Sequence, residues 1–100
     1  MSDIINIQNQ VVEWADSAFP DRTSQSTFLK LFEEIGEVLR EPTNHEEWAD
    51  VFILMLDVMS RFGVSGDDVE VAIQLKLEKN RQRNWAKNDV GIMQHTRDNL

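Results

Sequence analysis

The sequence predicts an all-α protein, a four-helix bundle-like domain completed by oligomerisation, and three observations predict it. Apolar residues recur at helical spacing in four successive stretches. The breakers Pro20, Pro42 and Gly63 fall between those stretches, in a chain with only four Gly and two Pro. The third stretch is apolar nearly all round, which marks a helix enclosed by others.

Residues 3 to 18 carry Ile4, Ile7, Val11, Trp14 and Ala15 on one stripe, with Asp3 as cap. Pro20 then disfavours a helical conformation at Phe19 and removes a donor, so the next helix starts between Ser24 and Thr27. From Phe28 to Arg40 the apolar positions Phe28, Leu31, Phe32, Ile35, Val38 and Leu39 form a second stripe, with Lys30, Glu33, Glu34 and Glu37 on the other side. Gly36 in this helix signals either a close neighbour or a tolerated surface glycine. Pro42 stops the helix, and Thr43-Asn44-His45-Glu46 reads as a capping box for a third helix of about His45 to Phe62. So tight a connection makes the two helices antiparallel neighbours. Gly63 ends the third helix, and Ser65-Gly66-Asp67-Asp68 opens a fourth that runs to about Trp85. The expected organisation is a helical domain over 1–85 followed by a polar, patternless tail over 86–100, loose or docked on a partner.

A net charge of −8 argues against a nucleic-acid polymer or an anionic membrane as partner. No apolar run reaches membrane-spanning length, and the N-terminus lacks the basic and apolar regions of a signal peptide. With no cysteine there is no disulfide framework and no thiolate metal site. The expected setting is the cytoplasm.

The acids carry the chemistry. Glu34 and Glu37 are spaced i, i+3, as are Glu47 and Asp50 at the head of the most apolar helix. That spacing stacks two carboxylates on one helix face, and the hairpin turns the two pairs toward one another. Uncompensated charge beside an apolar helix is costly, and carboxylate oxygens without cysteine or paired histidine favour Mg²⁺ or Mn²⁺. The opposing reading is a solvated acidic face, the usual fate of helix charges. On the fourth helix Lys76, Asn80 and Arg83 share one stripe that suits phosphate, although cations near a helix C-terminus also serve its dipole. Trp14, Phe19 and Trp48 are candidates to stack on a base, with core the preferred place for Trp48. Asp57, on the apolar helix, needs a base amino group, a cation from a partner subunit or a protein donor.

These residues resemble the all-α, MazG-like nucleoside triphosphate pyrophosphohydrolases, whose hallmark is E-E-x-x-E followed by E-x-x-D. Here the motifs are Glu33-Glu34-x-x-Glu37 and Glu47-x-x-Asp50, and Lys76 to Arg83 looks like their K-x-x-x-N-x-x-[KR] segment. The resemblance covers roughly residues 5 to 85. The short chain ending in N-R-x-R-x-W looks most like the small dATP/dGTP pyrophosphohydrolases of phages and prophages. The spacer between the acidic motifs is shorter than the commoner pattern, and Val38 stands where Leu usually follows the first motif.

The resemblance implies a MazG-type fold and Mg²⁺-dependent hydrolysis of a (d)NTP, with dGTP or dATP preferred, to the monophosphate and pyrophosphate. It makes Glu34, Glu37, Glu47 and Asp50 metal ligands and Glu33 a candidate catalytic base that orients water or a carboxylate behind the ligands, with a plain surface acid as its alternative role. It makes Lys76, Asn80, Arg83, Lys30 and Trp14 substrate contacts. The expected cofactor is Mg²⁺ with Mn²⁺ as substitute, and the expected assembly is a homodimer or homotetramer. Two other readings stand beside it: a non-catalytic acidic helical adaptor for a basic protein, and an enzyme of the same fold acting on modified nucleotides.

Overall fold

Local chemistry satisfies the backbone at the helix ends beside Pro20, Pro42 and Gly63. The computed structural model describes residues 3–83, 85–87 and 93–95, with four helices: α1 Asp3–Ala18, α2 Ser24–Arg40, α3 His45–Arg61 and α4 Gly66–Arg81. Thr23 caps α2 reciprocally. Its Oγ1 accepts from the Ser26 amide at 3.0 Å, and Ser26 Oγ accepts from the Thr23 amide at 3.0 Å. The cap of α3 is Asn44 rather than Thr43, because the Asn44 carboxamide oxygen reaches the Glu46 amide at 3.0 Å. After Arg61, Gly63 adopts φ 73° while its amide donates to Ser60 O and the Val64 amide to Met59 O. That pairing is a Schellman stop, and the left-handed backbone favours glycine there.

Two compact units make up the chain, Met1–Glu70 and Val71–Leu100. In the first, α3 is central and packs against both α1 and α2. The core holds Val11 and Ala15 from α1, Leu31 from α2, and Val51 and Val58 from α3. Buried Thr27 is satisfied by donating to Thr23 O at 2.9 Å. Buried Gln8 ties three elements together. Its Nε2 donates to Leu56 O and Val64 O, and its Oε1 accepts from the Gly66 amide at 2.8 Å. Gly66 must stay small, since a Cβ there would sit 2.6 Å from Ile5 N and 2.7 Å from Ile4 Cγ2. At Gly36, by contrast, a Cβ would meet nothing nearer than an Arg40 nitrogen at 4.0 Å, so the open-surface alternative is the one observed.

The enclosed α3 expected from its composition is enclosed on one side only. Val51, Asp57 and Val58 are buried, whereas Trp48, Phe52 and Met55 stay exposed at helical spacing. Alongside, α2 exposes Phe28, Phe32, Ile35 and Leu39, with Phe32 at 65% and Leu39 at 82%. Trp48 is therefore not a core residue, and its Nε1 donates to Pro42 O at 2.9 Å.

In the second unit α4 stops at Arg81, four residues before the expected end. The Gln82 and Arg83 amides turn back to Lys79 O and Asn80 O, a tightening that closes the helix. Trp85–Lys87 then pairs antiparallel with Met93–His95, with Trp85 opposite His95 and Lys87 opposite Met93. The expected tail held no regular element, so this short ladder is an addition. The rest of the 86–100 tail lies outside the described residues. No helix among the described residues is long and apolar enough to cross a membrane.

Candidate functional site

The turn over residues 41–44 brings the two acidic motifs together. Glu34 on α2 and Glu47 and Asp50 on α3 each offer a carboxylate oxygen, and the three oxygens lie within 4.8 Å of one another. Hard oxygen donors so close, without sulfur or imidazole among them, fit a divalent cation of the Mg²⁺ or Mn²⁺ type. The electrostatics point the same way. Desolvation pushes the Glu47 carboxyl above the usual range, and Glu41, Asp50, Glu37 and Glu34 add repulsion. A bound cation relieves that repulsion.

The remaining motif acids lie differently. Glu37 is hydrogen-bonded to Arg40 one turn along α2 and is not among the three clustered residues. Glu33 is exposed, with the Lys30 ammonium 3.6 Å from it. That ammonium also lies 3.4 Å from Glu34.

A cleft of 720 Å³ opens beside the cluster. Glu34, Asp50 and Lys30 line one part of it, and Trp14, Phe19, Ile53 and Leu54 supply apolar wall. Trp14 and Phe19 meet edge to face, their centroids 5.6 Å apart. Clustered carboxylate oxygens beside an apolar, aromatic slot form a place for a ligand with a charged end and a flat end.

The model of the dATP/dGTP pyrophosphohydrolase family matches residues 7–98. The chain belongs to that family. Within it, the chain is 42% identical over 94 residues to a dATP/dGTP diphosphohydrolase of Cyanophage S-2L, covering 92% of this chain and 87% of that protein. It is 35% identical over 96 residues to a dATP/dGTP diphosphohydrolase of Salmonella phage PMBT28, covering 95% of this chain but only 32% of that longer protein. The solved structure of a Cyanophage S-2L MazG-like pyrophosphohydrolase, bound to dGDP and three catalytic Mn²⁺ ions per active site, superposes with a TM-score of 0.82. That match is 39% identical and covers 97% of this chain and 100% of that one. The fold is thus the MazG type expected of a family member, and the Mn²⁺ ions of the neighbour agree with the cation-binding chemistry of the acidic cluster.

One cleft feature of this dATP/dGTP pyrophosphohydrolase family member escaped the sequence reading. Arg22, in the loop after Pro20, donates to Asp57 through Nε and Nη2, both at 2.7 Å, to Asp16 at 2.8 Å and to Phe19 O at 3.1 Å. Asp57 is 3% exposed, so the donor it demands is this intrachain guanidinium. The Asp57 hydrogen bond, followed by Asp16 and the two charges, outweighs desolvation and raises the Arg22 pKa. The available signal was the unpaired acid on an apolar helix, with Arg22 the sole arginine between α1 and α2. Lys76, Asn80 and Arg83 lie in the second unit, Lys76 exposed and the other two half-buried. The Arg83 Nε is buried without a hydrogen-bond partner among the described residues.

Proposed function

We propose that this protein hydrolyses a purine deoxynucleoside triphosphate, dGTP or dATP, between the α and β phosphates in the cytoplasm. Water adds, the bridging P–O bond breaks, and the products are the dNMP and pyrophosphate. The observation that carries the reading is the Glu34, Glu47, Asp50 cluster at the cleft lined by Trp14 and Phe19. Glu34, Glu47 and Asp50 would hold Mg²⁺, or Mn²⁺ in its place, with Glu37 joining them after release from Arg40. When bound, the metal supplies neutralisation of phosphate charge and a lowered pKa for water. Glu33 accepts the proton of the attacking water, and Lys30, Lys76, Asn80 and Arg83 contact phosphate and sugar. Trp14 packs on the base.

Incubation with each dNTP and Mg²⁺, followed by separation of the products, tests this directly. A purine dNMP with pyrophosphate is the expected outcome. A dNDP with inorganic phosphate overturns the cleavage position, and no turnover overturns the activity.

The active form is a homo-oligomer in which a second copy covers the stripe formed by Phe28, Phe32, Ile35 and Leu39 with Trp48, Phe52 and Met55. These residues stay exposed, and among the described residues only five hydrophobic ones are buried. Sedimentation should return two or four copies, and Phe32→Glu with Leu39→Glu should return one. A wild-type monomer at micromolar concentration overturns this assembly.

A further inference from the structure

The Arg22–Asp57 pair lies in the cleft wall, and cleavage of a triphosphate makes no use of it. Stability alone is a weak reason for such a pair, because well-packed apolar residues often replace buried ion pairs at no loss. Its position is informative. Asp50 and Asp57 are seven residues apart on α3 and line the same cleft, a separation of about 10 Å at the helical rise of 1.5 Å per residue. That is comparable to the reach from the α-phosphate of a nucleotide across its sugar to the far edge of its base.

The pair also has hydrogen-bonding capacity left. Each Asp57 oxygen accepts one N–H from Arg22 and keeps a lone pair, and one Nη1–H of Arg22 has no acceptor among the described residues. We propose that Asp57, oriented by Arg22, is the specificity-determining acceptor for the Watson–Crick edge of a purine. It accepts the N1–H of guanine or the N6 amino group of adenine, while Trp14 and Phe19 contact the ring. Arg22 is a positioning residue that fixes the carboxylate in the cleft wall. The inference rests on the purine triphosphate reading above, with the phosphates at the Glu34 and Asp50 end. A site built around a buried hydrogen-bonding group rejects analogues that leave it unpaired far more strongly than a slot shaped for size alone.

Two measurements test it. The wild-type protein is given dGTP, 1-methyl-dGTP and 7-deaza-dGTP. Methylation at N1 should lower kcat/KM by about 10- to 100-fold, the worth of one hydrogen bond to a charged group, whereas 7-deaza-dGTP should be used like dGTP. Equal use of dGTP and 1-methyl-dGTP overturns the proposal, as does selective loss with 7-deaza-dGTP. Calorimetry then compares dGMP and deoxyribose 5-phosphate binding to wild type and Asp57→Asn. Weakening of dGMP by about 10-fold or more, with the sugar phosphate unchanged, supports base reading. Equal weakening of both assigns Asp57 a structural role and overturns it. If Asp57→Asn does not fold, the analogue series on the wild type decides. Failure to hydrolyse any dNTP sinks the proposed activity alone, because dGMP binding still reads Asp57.

Discussion

Glu47→Gln abolishes turnover while leaving the metal-free protein at least as stable as the wild type at neutral pH. Loss of a charged oxygen from the cluster should reduce kcat/KM by at least about 100-fold, since groups that merely support metal ligands already cost 10- to 100-fold. The stability change has a definite sign. The folded-state pKa of Glu47 is raised, first by desolvation and then by Glu41, Asp50, Glu37 and Glu34. The folded state therefore binds the proton more tightly than the unfolded chain. Its contribution to stability is fully present below the ordinary glutamate range and is lost as pH rises through the raised value. Thermal melts across mildly acidic to neutral pH should show this decline in metal-free wild type and a flatter profile in Glu47→Gln. Added Mn²⁺ should raise the wild-type melting temperature, because a ligand of the native state alone stabilises it, and should raise that of the variant much less. A variant that retains both turnover and the full metal-induced rise would remove Glu47 from the site.

Arg22→Ala gives the largest loss of stability, about 3–5 kcal/mol, because it leaves the Asp57 carboxylate buried without its counter-charge. That is a large share of the 5–15 kcal/mol typical of a domain. The same change removes the bonds to Asp16 and Phe19 O that hold the loop after α1. The double replacement Arg22→Met with Asp57→Leu should recover most of the loss, since no charge is then stranded. Urea melts of the two variants make the comparison. Equal destabilisation in both would show that the pairing itself is not what matters.

The helices were legible because stripe and punctuation agree. Ile4 to Ala15 and Phe28 to Leu39 keep one period over several turns, and Pro20, Pro42 and Gly63 mark the ends. Adjacent motifs on a hairpin made the meeting of Glu34 with Glu47 and Asp50 readable as well. What stayed hidden depends on geometry that spacing does not encode. Thr43 and Asn44 are both good caps, and only the backbone decides which side chain faces the first turn. Basic residues through Arg83 favoured a longer α4, yet a tightened last turn ends it at Arg81. Arg22 sits in a loop, where no periodicity tells which way a side chain points, so its reach to Asp57 could be found only from the acid's need for a partner.

Gln8 and Gly66 have a consequence for motion. The Gly66 amide proton is held by a buried side-chain oxygen from a helix 58 positions away in sequence, beneath a backbone too close to admit even a methyl group. Solvent deuterium reaches that proton only when α1 parts from the start of α4. A single slowly exchanging glycine resonance therefore clocks the opening of that junction.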